Sequence, residues 1–321
     1  MRTIETLFLT NTHFCPDEEE LQRLKERYPQ ISLTISEARS YTLDQLAKAE
    51  IIVGTPRRGD LGVATNLRWM QAQSSGVTPY VDKTLYHNQD IILTNAKGTY
   101  GRQIADHILG MIIAFNHNLL AYHDQMKERR WESYWPTKDL WDSTLLIIGY
   151  GDIGENVALR AKAHGMRVIV VKRTPIEIPE SVDALYTTDS LDTVLPLADY
   201  VAVCAAATPE TQNLLDRKRL LLLKQGAILL NVARGSLVDE EALISLLQNG
   251  HLAAAGLDVT QEEPLQETSP LWNLPNVLVT PHASGLSLSD PHQVFSLFLD
   301  NLGHYLGDGK LKNLVEFSRK Y

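Results

Sequence analysis

The apolar run Thr144-Leu145-Leu146-Ile147-Ile148 leads without interruption into Gly149-Tyr150-Gly151-Asp152-Ile153-Gly154, and from there into the helical pattern ENVALRAKAHG. No other stretch restricts the fold as much. Three glycines at this spacing, between a strand and a helix, meet a separate demand at each position. The first makes a tight turn, the second lets backbone approach a pyrophosphate, and the third lets helix and strand pack closely. The helix that follows presents unpaired N–H groups and the positive end of its dipole to phosphate. We therefore read Gly149, Gly151, Asp152, Ile153 and Gly154 as the phosphate-binding turn of a dinucleotide site.

In such a unit the second strand ends in an acid, about 20 positions on, that binds the ribose 2′-hydroxyl of NAD. Here the strand Arg167 to Val171 ends in Lys172-Arg173-Thr174 instead. A guanidinium beside an ammonium suits the dianionic 2′-phosphate of NADP. The expected cofactor is NADP(H), with NAD(H) as the alternative. Thr208 and Asp258, at the ends of later strands, complete the expected cofactor-binding set.

A chain of 321 residues exceeds one ordinary core, which stops growing near about 250 to 300 residues. The first third alternates strand-like runs (Leu7 to Thr10, Ile31 to Ile35, Ile51 to Gly54, Leu67 to Ala72, Ile91 to Thr94) with helical segments, the rhythm of βαβ units and a parallel sheet. From Gly101 to Arg130, Ile104, Ile108, Met111, Ile112, Phe115, Leu119 and Tyr122 form the stripe of one long amphipathic helix, expected to bridge domains or meet a second subunit. Trp131, Trp135 and Trp141 follow, read as packing at a domain or subunit contact. Six further strand-like runs between Leu145 and Thr280 suit a doubly wound nucleotide-binding sheet. A last helix, from about His292 to Leu306, is expected to fold back on the first block. The fold class is thus two-domain α/β: a Rossmann-type nucleotide domain, 99–285, and a smaller flavodoxin-like substrate domain, 1–98 with 286–321 returning to it.

Lys and Arg total 30 against 39 Asp and Glu, a net charge of −9, so no global positive field draws nucleic acid or an anionic membrane. Cys15 and Cys204 are far apart and lack metal-ligand or CxxC spacing, which points away from a disulfide framework or metal site and toward a reducing, cytoplasmic compartment. The first residues lack a signal-peptide pattern, and no 18 apolar residues run together. Asp17 to Glu20 reads as a solvated helix start, and Cys204 as packing.

Three segments, AILLNVARGSLVDEEAL, AGLDVTQEEPL and VLVTPHASG, each follow an apolar strand. Their polar residues Arg234, Glu263 and His282 would project from the carboxyl ends of strands, where open α/β sheets place ligands. An imidazole exchanges a proton near neutral pH, and a guanidinium fork matches a carboxylate.

These segments, and nearly the whole chain, resemble the D-isomer-specific 2-hydroxyacid dehydrogenase family, in its glyoxylate/hydroxypyruvate reductase-like branch. The resemblance implies that Arg234 binds the carboxylate and keto oxygen of a 2-oxo acid, that His282 is the general acid for reduction, and that Glu263 orients it. The product would be the D-2-hydroxy acid. In QSSGVTPY it implies that backbone N–H groups of Ser75, Gly76 and Val77 bind the substrate carboxylate; Arg234 and His282 complete the substrate set. NAKGTYGRQIADHILG resembles the segment opening the family's long helix, and His107 within it is read as a packed helix residue. Substrate preference is expected from pocket residues near Val53 to Arg57 and Trp135.

The chain departs from the family at Ala205-Ala206-Ala207-Thr208, where a Pro-rich turn is usual beside the cofactor, and at the missing acid after the second nucleotide-domain strand. Glu263 argues against the formate-oxidising branch, which carries Gln there. The end at Tyr321 argues against the long, feedback-regulated form of phosphoglycerate dehydrogenase. A dinucleotide-sensing regulatory protein, like the family's corepressors, is the reading from another class. A homodimer through the helix of residues 101 to 130 is expected.

Overall fold

Strands that are apolar on both faces need cover on both sides, and alternating strands with helices supplies it. The computed structural model describes residues 2–134, 136–307 and 309–318. The chain forms two compact units, Met1–Thr99 with Leu286–Tyr321, and Tyr100–Gly285.

In unit 1, β1 (Ile4–Thr10), β2 (Ile31–Glu37), β3 (Ile51–Val53), β4 (Trp69–Gln71) and β5 (Ile92–Thr94) form a parallel sheet in the order β2-β1-β3-β4-β5. That order is the flavodoxin-like one. Helix α1 (Glu18–Arg27) follows β1, and α2 (Leu43–Lys48) follows β2. The start of α1 closes a capping box: the Asp17 carboxylate accepts from Glu20 N at 2.8 Å, and the Glu20 carboxylate accepts from Asp17 N at 3.0 Å. Glu20 is only 2% exposed and also meets His292 Nδ1 at 3.1 Å. The solvated reading of Asp17 to Glu20 therefore fails at Glu20, because its carboxylate is needed inside as an acceptor.

Unit 2 opens with α3 (Gly101–Asn116) and α4 (Leu119–Glu128). It continues through β6 (Thr144–Ile148), α5 (Asp152–Ala163), β7 (Arg167–Val171), β8 (Ala184–Tyr186), α6 (Leu191–Val194) and β9 (Tyr200–Val203). Then come α7 (Arg217–Leu222), β10 (Ala227–Asn231), α8 (Glu240–Gln248), β11 (Leu252–Leu257) and β12 (Val277–Val279). The parallel sheet runs β12-β11-β10-β9-β6-β7-β8, so chain order reverses at β6. All five residues of β6 are buried, as a central two-sided strand requires. After unit 2 the chain returns to unit 1 with α9 (Asp290–Leu306), where Phe295 and Phe298 pack on Phe8 of β1 with ring centroids 5.9 and 6.2 Å away.

Two expectations change. The single helix over 101–130 is two helices bent by 61°, because Asn118 takes a left-handed backbone, φ +53°. The sheet of unit 2 has a seventh strand, β8, three residues long at its edge. Of the tryptophans read as packing at a domain or subunit contact, Trp131 is fully exposed, and Trp141 lies against Gly165 while remaining 70% exposed. Trp135 lies outside the described residues.

Candidate active site

The carboxyl end of β6 is the switch point of the larger sheet, with β9 on one side and β7 on the other. Its glycine turn answers three separate constraints. Gly149 has φ +97°, and a Cβ there would come within 2.6 Å of the Ala205 backbone. Gly154 abuts the Gly149 carbonyl so closely that a side chain would overlap it. At Gly151 a Cβ would find no heavy atom within 4 Å, so the ground in front of it is open. Gly151 is also the N-cap of α5 and gives it no side-chain cap. Asp152 and Ile153 begin the helix; Asp152 accepts from Asn156 Nδ2 at 3.3 Å, and Ile153 packs on the core. A turn with open ground and uncapped N–H groups fits a pyrophosphate.

Beyond β7, Lys172 N donates to Tyr186 O of β8 at 3.0 Å, so the edge strand fixes the start of the basic loop. Lys172 is half-buried; Arg173 and Thr174 are exposed. On the other side of the turn, Thr208 caps a short 3₁₀ turn beyond β9. The Thr208 hydroxyl, the Glu210 backbone N–H and then the charge of Arg173 together hold the Glu210 carboxyl below its ordinary range. Sequence reading passed over Glu210, which carries no motif of its own.

The ends of β10, β11 and β12 are neighbours in the sheet and carry the three polar residues. Asn231, 1% exposed, shapes the first by donating to Arg234 O at 3.0 Å and accepting from Ala233 N at 3.1 Å. Arg234 Nη1 donates to Ala233 O at 2.6 Å. Among the described residues Arg234 hydrogen-bonds neither Glu263 nor His282. Those two do meet: His282 Nδ1 lies 2.8 Å from Glu263 Oε2, with side-chain exposures of 46% and 38%. With Nδ1–H donating to the carboxylate, Nε2 is the nitrogen left to exchange a proton.

His282 has φ +52°, a left-handed backbone unusual for a residue with a side chain. Asp258, 1% exposed at the end of β11, braces the segment around it. Its carboxylate accepts from Thr280 Oγ1 at 2.6 Å, Ala283 N at 2.9 Å and Ser284 Oγ at 2.5 Å. Burial pushes the Asp258 carboxyl up, but the donors of Ser284, Thr280 and Ala283 outweigh it and hold it below the ordinary aspartate range. The Asp258 side chain, named in the cofactor set, is thus engaged with the segment after β12 that carries His282. His107 differs from the packed residue expected, because it is half-buried with Nε2 3.1 Å from Thr280 Oγ1.

In unit 1, the carbonyls of Ser74, Ser75 and Gly76 accept from Ala96 N at 3.1 Å, Asn95 Nδ2 at 3.1 Å and Ser74 Oγ at 2.9 Å. Val77 is buried.

Residues 109–284 match the model of the D-isomer specific 2-hydroxyacid dehydrogenase, NAD binding domain, more than half of the chain. The chain belongs to this family. The D-2-hydroxyacid dehydrogenases are oxidoreductases that use a nicotinamide dinucleotide, and this protein is such an enzyme with the expected two-sheet α/β fold. Glycerate dehydrogenase of Methylorubrum extorquens is 32% identical over 85% of this chain and 88% of its own. Glyoxylate/hydroxypyruvate reductase B of Klebsiella pneumoniae is 30% identical over 93% of this chain and 95% of its own. A D-isomer specific 2-hydroxyacid dehydrogenase from Xanthobacter autotrophicus, solved in complex with NADPH and MES, superposes with a TM-score of 0.83 at 27% identity, covering 99% of this chain and 100% of that one.

Proposed function

We propose that this dehydrogenase reduces glyoxylate or hydroxypyruvate with NADPH, giving the D-2-hydroxy acid. The pairing of His282 Nδ1 with Glu263 Oε2 at 2.8 Å carries this reading, because it leaves Nε2 to protonate the carbonyl oxygen. When bound, the nicotinamide supplies the hydride. Arg234 binds the substrate carboxylate and keto oxygen, concentrating positive charge where negative charge develops. The backbone N–H groups of Ser75, Gly76 and Val77 serve as donors to a carboxylate. The substrate choice draws support from the two relatives above, whose substrates and product, hydroxypyruvate and glycerate, are one redox couple.

The preference for NADPH rests on Lys172, Arg173 and Thr174 standing where an acid would exclude the 2′-phosphate, and on the NADPH complex of the Xanthobacter relative. A homodimer accounts for the apolar surface on and after α4, where Leu119, Met126 and Trp131 are exposed. The absence of a pairing pattern between Cys15 and Cys204 suits a cytoplasmic enzyme.

The experiment is turnover of glyoxylate, hydroxypyruvate, pyruvate and phenylpyruvate with NADH and NADPH separately. Failure of every 2-oxo acid to oxidise either cofactor sinks the reading. His282→Ala removes most turnover, about 10²- to 10⁴-fold for a lost general acid, with cofactor affinity nearly unchanged. Arg173→Ala lowers kcat/KM with NADPH much more than with NADH, and a monomeric mass in solution refutes the dimer.

A further inference from the structure

One face of α3 grips both ends of the segment that carries His282. Gln103 and His107 are four residues apart and so stand one above the other on the helix. Gln103 Nε2 donates to Gly285 O at 3.3 Å, and His107 Nε2 lies 3.1 Å from Thr280 Oγ1. The neighbours Ile104, Ile108, Met111 and Ile112 are buried and fix the helix to its sheet without them. This polar pair on an otherwise apolar stripe therefore has a task other than packing.

The direction of each hydrogen bond follows from a count of protons. Asp258, ionised and fully engaged, only accepts, so the Thr280 hydroxyl gives its proton to Oδ1 at 2.6 Å. The Thr280 oxygen is left as an acceptor, and His107 must therefore donate from Nε2. The chain His107–Thr280–Asp258 then continues to Ala283 N and Ser284, on the far side of His282. His282 N itself donates to Asp258 O at 2.8 Å. Its left-handed backbone is thus held from both sides by one buried carboxylate, and that carboxylate's link to α3 runs through His107.

We propose that His107 is a positioning residue for the proton-transfer step, its Nε2–H fixing Thr280 and so aiming the imidazole of His282. The proposal rests on the reading of His282 as the proton donor. His107 touches neither substrate nor cofactor in this role. Its loss misplaces a reacting group instead of removing one, and small misplacements cost rate more than binding.

His107→Phe keeps the ring volume and removes the donor; His107→Gln keeps an N–H at similar reach. In the full-length enzyme, kcat of the Phe variant falls on the order of tenfold to a hundredfold. Its KM for cofactor and its thermal midpoint stay at the wild-type values, and the Gln variant recovers most of kcat. A Phe variant with wild-type kcat overturns the proposal, and so does a loss shared equally by kcat, cofactor KM and stability that Gln does not rescue. Should the Phe variant not fold, the ¹⁵N chemical shifts of the His107 ring in the wild-type protein decide, because an Nδ1-protonated neutral tautomer contradicts the proton count. His282→Ala separates the two levels. If it keeps turnover, the reading of His282 has failed; if it is inactive while His107→Phe is fully active, only the role of His107 has.

Discussion

Both units contain a strand at which the sheet order reverses, β1 between β2 and β3 and β6 between β9 and β7, and in each a helix starts beyond its carboxyl end. They finish that helix start in opposite ways. In unit 1, Asp17 and Glu20 close a capping box over the first N–H groups of α1. In unit 2, Gly151 offers α5 no side chain, and the space in front of it is open. The two topologies are alike; what distinguishes the second is the set of donors that its chain leaves uncapped.

The largest effect should come from making the second helix start like the first. Gly151 has φ −118° and ψ −153°, a backbone open to any residue, so Gly151→Asp folds and places a carboxylate over the α5 N-terminus. Its dissociation constant for NADPH should rise at least ~100-fold, about 2.7 kcal/mol, while the thermal midpoint holds or rises. Unchanged affinity in a fluorescence titration would erase the distinction between the units. Gly149→Ala tests the turn rather than the cap. With φ +97° and the Ala205 backbone in the way, it should lose about 2 kcal/mol of stability in urea unfolding.

The converse change, Asp17→Ala, should cost about 1 kcal/mol and leave cofactor affinity alone. A shift in NADPH affinity would mean that the unit 1 cap has a role in binding. Smallest at neutral pH is the effect of titrating Asp258. Its folded-state pKa lies below the unfolded value of about 3.9, so its stabilisation is complete above about pH 5 and is lost as the pH falls through the folded value. Acid unfolding followed by circular dichroism should show stability declining in that direction only.

The glycine turn was legible because all of its requirements are local: a strand, three glycines and a helix within a few residues. Arg234, Glu263 and His282 were legible as polar residues just beyond apolar strands, and parallel topology sets β10, β11 and β12 side by side. The bend at Asn118 was not legible, since the apolar stripe keeps its period on both sides of a single left-handed residue. Strand β8 escaped notice because three half-buried residues at a sheet edge carry no periodic signal. The tie between His107 and Thr280 spans 173 positions, and only the fold brings its ends together. The nearest available signal was the pair Gln103 and His107, polar residues one turn apart on an apolar face.

The two thiols sit in contrasting places. Cys204 is at the end of β9, where burial pushes its thiol up to about 12, whereas Cys15 is exposed in unit 1. A maleimide dye needs the thiolate, so at neutral pH it should attach at Cys15 and pass over Cys204. The natural sequence thus provides a single-site label in the unit that lacks the glycine turn, and fluorescence from that label can follow unit 1 while NADPH is titrated into unit 2.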